Sequence, residues 1–170
     1  MKFFSLLAAL LPLVCCAQTR PPGVWSGDSN KEMVFISVTN DSSSVLTKLC
    51  TLKDGSCYWG ISSLGAPCDE NHSYSALVSS RAGALAVTAT CVGATKKGEH
   101  YTYVLSDPDG LDKSVLMGGV WAIALPIDGG FNVLKFNADG AKTSMNALIE
   151  LTEKLMPKKN SNTSLGDSSL

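Results

Sequence analysis

Apolar and polar residues alternate through most of the chain, the period of strands that bury one face. Residues 33–39 set Val34, Ile36 and Val38 on one face, with Met33 and Phe35 on the other. Residues 45–52 and 57–61 flank Lys53-Asp54-Gly55-Ser56. Asp-Gly between two apolar runs predicts a hairpin, because glycine accepts the positive φ of a tight turn. With Asp54 and Gly55 at its tip, Leu52 faces Cys57 and Cys50 lies one diagonal step away. Residues 74–79 and 84–92 form a second hairpin through Ser80-Arg81-Ala82-Gly83, turning Leu85, Val87, Ala89 and Cys91 inward and Thr88 and Thr90 outward. After a turn at Lys96, Lys97 and Gly98, Tyr101, Tyr103 and Leu105 alternate along a further strand, an aromatic stripe that reads as core packing. Residues 119–127 carry Trp121, Ile123 and Leu125 on one side and Val120, Ala122 and Ala124 on the other, which predicts cover on both faces. Asp128-Gly129-Gly130 then turns the chain back through residues 131–136.

The period changes after Asp139-Gly140. Over residues 141–156, Ala141, Met145, Leu148, Thr152 and Leu155 recur at helical spacing, Asp139 is placed to cap the first turn, Glu150 and Lys154 form an i,i+4 pair, and Pro157 stops the helix. Residues 111–117 make a short helix closed by Gly118-Gly119. The expected fold is α+β: a mostly antiparallel sheet or sandwich of about eight strands, stapled by disulfides, with one C-terminal helix packed on it.

The ends read differently. Met1 and Lys2, the apolar run to Val14 and the small residues Cys15, Cys16 and Ala17 form a signal peptide over residues 1–17, cleaved after Ala17. Leu13-Val14-Cys15-Cys16 is also a poor lipoprotein box, with Cys16 as the acylated alternative. Residues 18–32 are an extended lead-in segment rich in Pro, Gly, Ser and Asp, with Trp25 plugging the core edge. Residues 33–157 form one globular domain, and residues 158–170 are a polar tail expected to be disordered. No segment of the mature chain is expected to span a membrane.

Cleavage leaves Cys50, Cys57, Cys68 and Cys91, an even set in an oxidising compartment, hence two disulfides. Three connectivities are open, and the hairpins favour Cys50 with Cys57 and Cys68 with Cys91. Charge adds an exclusion. The chain carries 14 Lys and Arg against 15 Asp and Glu, and its lysines are scattered as on a solvated surface, which does not suit nucleic acid. Cys68-Asp69-Glu70-Asn71-His72 offers metal-ligand types, but consecutive residues rarely face one ion. Asp107, Asp109 and Asp112 around Gly110 lack the spacing and terminal Glu of a calcium loop and read as a helix-capping turn. No metal or other cofactor is expected.

Residues 119–140, Gly-Val-Trp-Ala-Ile-Ala-Leu-Pro-Ile-Asp-Gly-Gly-Phe-Asn-Val-Leu-Lys-Phe-Asn-Ala-Asp-Gly followed by a helix, resemble the closing hairpin and helix of small exported bacterial proteins of the invasion-associated locus B group. The likeness covers the last quarter of the domain. It implies a periplasmic or surface-exposed, non-enzymatic protein with no catalytic residues to carry over.

The residues themselves lead to a similar expectation. Two histidines, His72 and His100, and no nucleophile elbow, zinc-protease or phosphate-loop motif leave little for catalysis. A hydrolase would have to assemble Ser62 or Ser63 with His72 and Asp69 in space. The expectation is an exported protein that binds another protein as an inhibitor, immunity or invasion-accessory factor, with Tyr58, Trp59 and Arg81 as candidate partner surface. The alternatives are a secreted effector, for which the Asn40, Asn71 and Asn162 glycosylation triplets would matter in a eukaryotic source, or a small hydrolase.

Overall fold

The computed structural model describes residues 22–94 and 100–156. The expected signal peptide at 1–17 with Cys16, the start of the expected lead-in segment, the expected turn at 96–98, Pro157, the expected tail at 158–170 and Asn162 lie outside the described residues.

Nine strands make one sheet: β1 (Ser26–Ser29), β2 (Met33–Thr39), β3 (Val45–Thr51), β4 (Cys57–Ser63), β5 (Ser73–Ser80), β6 (Gly83–Ala94), β7 (Tyr101–Leu105), β8 (Val120–Ile127) and β9 (Gly130–Asn137). Helix α1 (Pro108–Leu116) precedes β8, and helix α2 (Ala141–Leu155) follows β9. The order across the sheet is β1-β2-β3-β4-β7-β6-β5-β8-β9, every neighbouring pair antiparallel. The eight strands read from alternation are present, and Ser26–Ser29 of the lead-in segment adds a ninth, paired with Val34–Ser37.

The sandwich expectation is corrected to a single curled sheet, a half-barrel whose interior is closed by helices where a second sheet would lie. A bulge between Cys91 and Gly93 of β6, with Gly93 at φ 111°, adds to the twist that antiparallel strands already carry. The curl brings β9 round to β2, and the Trp25 indole N–H donates to the Asn137 carbonyl at 3.1 Å across the gap. The concave face buries Val34, Ile36, Val38, Leu46, Ile61, Val78, Ile123 and Leu125. The second face of β8 is more open than expected, with Val120 exposed and Ala122 and Ala124 half-buried, because the helices cover the concave side only.

α1 is held inside the curl by two tryptophans. Trp121 Nε1 donates to Ser114 Oγ at 2.8 Å and Trp59 Nε1 to Asp112 Oδ1 at 2.7 Å. Asp107 caps the helix by accepting from the Gly110 N–H at 3.0 Å, as the capping reading expected. α2 buries Ala141, Met145, Leu148 and Thr152 and packs on β1, β2 and β3, while Leu155 is exposed. Its N-cap is Gly140, not Asp139, whose carboxylate instead takes the Gly119 N–H at 2.7 Å and ties the start of β8 to the end of β9.

The first hairpin also departs from its expected register. Cys50 lies directly opposite Cys57, because Asp54 accepts from the Ser56 N–H at 3.0 Å and from the Thr51 hydroxyl, opening a wider loop than a two-residue turn. The bonds are Cys50–Cys57 and Cys68–Cys91, the pairing the hairpins favoured.

Candidate functional site

A concavity forms where the sheet parts. The ladder between β5 and β8 runs from Ser79–Ala122 to Leu77–Ala124 and ends, although both strands continue. Pro126 supplies the reason: proline has no N–H to donate to a ladder, so β8 keeps β9 as a partner and leaves β5. The opening is a cleft of about 490 Å³ between the β4–β5 loop and the β8–β9 turn. Asp69, His72, Tyr74, Tyr101, Ile127 and Asp128 line it.

The β4–β5 loop is firmly held. Cys68 is bonded to Cys91 of β6, and around that bond the Asn71 N–H donates to the Cys91 carbonyl and the Cys91 N–H to the His72 carbonyl, each at 2.8 Å. Tyr103 donates its hydroxyl to the buried Ala66 carbonyl at 2.8 Å, and Tyr74 accepts from the Asp69 N–H at 3.0 Å. The His72 ring lies 4.8 Å from that of Tyr74, which meets Tyr103 edge to face at 6.1 Å. Burial pushes the Tyr103 hydroxyl up to about 12, with Tyr74 and Tyr101 adding to the effect.

The sequence-derived candidates fare unequally. Asp69 and His72 do meet at the cleft, but neither Ser62 nor Ser63 lines it, and Ser63 is fully buried with its hydroxyl against Ser44 Oγ at 3.3 Å. The Cys68–His72 cluster is likewise divided: Cys68 is in a disulfide and the Glu70 carboxyl lies beside Gly93. Among the described residues no three His, Cys, Asp or Glu side chains are grouped to hold a metal ion.

Tyr58 and Arg81 are exposed, but Trp59 is not a surface residue: it is 1% exposed, on the concave face of β4. Alternation explains the correction, since neighbours on one strand point to opposite faces. Tyr58 borders a second groove of about 330 Å³ with Thr88, Thr90 and Val104, while Arg81 stands at the β5–β6 turn with its guanidinium against Gly119. The three do not form one surface. Asn40 uses its side-chain oxygen to hold its own turn, accepting from the Ser42 and Ser44 N–H groups, and Asn71 is exposed on the cleft loop.

Sequence reasoning missed Tyr74, Tyr101 and Asp128 as companions of His72. The available signal was Pro126 inside an otherwise regular strand, which marks a place where pairing must fail. It also missed Lys48, treated as a surface lysine, which is buried between Leu46 and Cys50 on β3 and donates to both oxygens of Asp112 at 2.5 Å.

A nine-stranded antiparallel half-barrel, closed by two helices and stapled by two disulfides, defines the architecture. No family model matches the chain, and no curated protein sequence matches it. Among solved structures it is similar to the crystal structure of invasion associated protein B from Bartonella henselae, at 15% identity and a TM-score of 0.56, covering 79% of this chain and 97% of that one. The resemblance carried by residues 119–140 therefore extends through the fold. At this identity the likeness concerns architecture alone.

Proposed function

We propose that this is an exported, non-enzymatic protein, periplasmic or secreted after cleavage at Ala17, that binds another protein in an invasion-accessory role. The observation that carries the reading is the cleft: a braced concavity lined by aromatic and charged side chains. Two disulfides suit an oxidising compartment. The fold shared with an invasion associated protein supports the accessory role by analogy of architecture.

Capture from extracts of the source organism and its host tests it, using the oxidised chain and an Ile127→Trp variant that fills the cleft without changing charge. One stoichiometric protein held by the wild type and lost by the variant is expected. A partner held equally by both, or no partner at all, overturns the reading.

A further inference from the structure

Resting on the protein-binding reading, we infer that the cleft takes a cationic side chain of the partner, an arginine guanidinium before a lysine ammonium. Asp69 and Asp128 bring two carboxylates to one cavity from two separate loops, and among the described residues no lysine or arginine lines it. Neither carboxylate holds the fold: the Asp69 backbone, not its side chain, makes the loop's hydrogen bonds, and both residues are exposed.

The rest of the wall suits the same ligand. Tyr74 and Tyr101 put two phenol rings in the cavity, and the negative face of such a ring attracts a cation within about 6 Å. A planar guanidinium stacks on such rings while its N–H fork meets a carboxylate, which an ammonium cannot do in the same way. A neutral occupant of the same size would desolvate two carboxylates with no compensating charge, and an anion would meet repulsion. The volume, about 490 Å³, exceeds what one side chain needs and is of ordinary ligand-site size, roughly 300–1,000 Å³, so flanking residues of an extended segment enter as well.

The test is a nuclear magnetic resonance titration of the oxidised full chain. Its probes are a Gly-Arg-Gly tripeptide blocked at both ends, the same peptide with citrulline for arginine, and free spermidine. Citrulline keeps the shape of arginine and removes its charge. The expected result is shifts confined to residues around Asp69, Tyr74 and Asp128, with at least fivefold weaker binding of the citrulline peptide. Asp69→Asn combined with Asp128→Asn should weaken the arginine peptide by a similar factor at an unchanged melting temperature.

Equal binding of the two peptides, undiminished binding to the double variant, or no shift with the arginine peptide overturns the inference. Spermidine binding more tightly than the peptide overturns the assignment to a protein side chain and points to a free polyamine. The two proposals fail separately. A partner lost with Ile127→Trp but kept by the double Asn variant leaves protein binding standing and removes the charge requirement, whereas an empty capture removes both.

Discussion

Asp112 accepts from Lys48 and from the Trp59 indole at once, so one carboxylate joins β3, β4 and α1. Taking away one member of a buried ion pair strands the other charge, at a cost of about 3–5 kcal/mol in dry surroundings. The Asp112 side chain keeps 28% exposure, which places it at the lower end. Asp112→Ala is expected to lose about 3 kcal/mol in urea unfolding, because Lys48 and Trp59 both lose their acceptor. Lys48→Met combined with Asp112→Asn should cost less, since the asparagine oxygen still serves Trp59 and no buried charge is left. A loss below about 1 kcal/mol for Asp112→Ala would show the pair to be immaterial. Nothing in the chain announced this pairing. Lys48 alternates with Leu46 and Cys50 as a core residue would, but a lysine at such a position is ordinarily a surface residue, and its partner comes from a helix far along the sequence.

The elements differ in what the two disulfides do for them. Cys50–Cys57 closes a short loop within one hairpin, with a sequence separation of 7, while Cys68–Cys91 has a separation of 23 and ties the cleft loop to β6. On chain entropy the first contributes about 2.5 kcal/mol and the second about 3.5 kcal/mol. Replacing each pair by alanine should reproduce that order in urea unfolding, and only the Cys68/Cys91 variant should raise hydrogen exchange in residues 64–72. Reductant should lower the melting temperature of the wild type and chelator should leave it unchanged; the opposite result would require a structural metal.

Strand pairing was legible at this scale because most strands bury one face, so period 2 marks residues 74–79 and 131–136 without tertiary information. The edge strand β1 was not legible, since Ser-Gly-Asp-Ser has no apolar face to announce and gains its place only by pairing with β2. The cleft was half legible. Asp69 and His72 are neighbours in sequence, whereas Asp128 and Tyr101 reach them only through the strand order.

At the scale of the whole molecule, pH acts through the buried phenol. Tyr103 titrates near 10 in the unfolded chain and at about 12 in the fold, so between those values the native state holds the extra proton. Its contribution to stability is complete below pH 10 and is lost as pH rises through 12. Tyr103→Phe should flatten this alkaline loss while costing about 1 kcal/mol at neutral pH for the hydrogen bond to Ala66. An alkaline melting curve unchanged by the substitution would remove Tyr103 as its cause. At the acid end the hydrogen bond from Thr51, with those from Ser56, holds the Asp54 carboxyl below its ordinary value. Its stabilising effect is present above pH 4 and fades as pH falls through the lowered value.

The contact between Trp25 and Asn137 has a consequence for when the protein becomes itself. These residues stand 112 positions apart, and the contact lies where the half-barrel draws β2 and β9 together. A nascent chain leaving the ribosome holds the first side of that clasp from the start and lacks the second until β9 has been made. Contacts that span so much sequence form slowly, because a long loop must be ordered before they give anything back. Synthesis therefore passes most of its duration with the molecule open, the condition in which a polypeptide can still be threaded across a membrane.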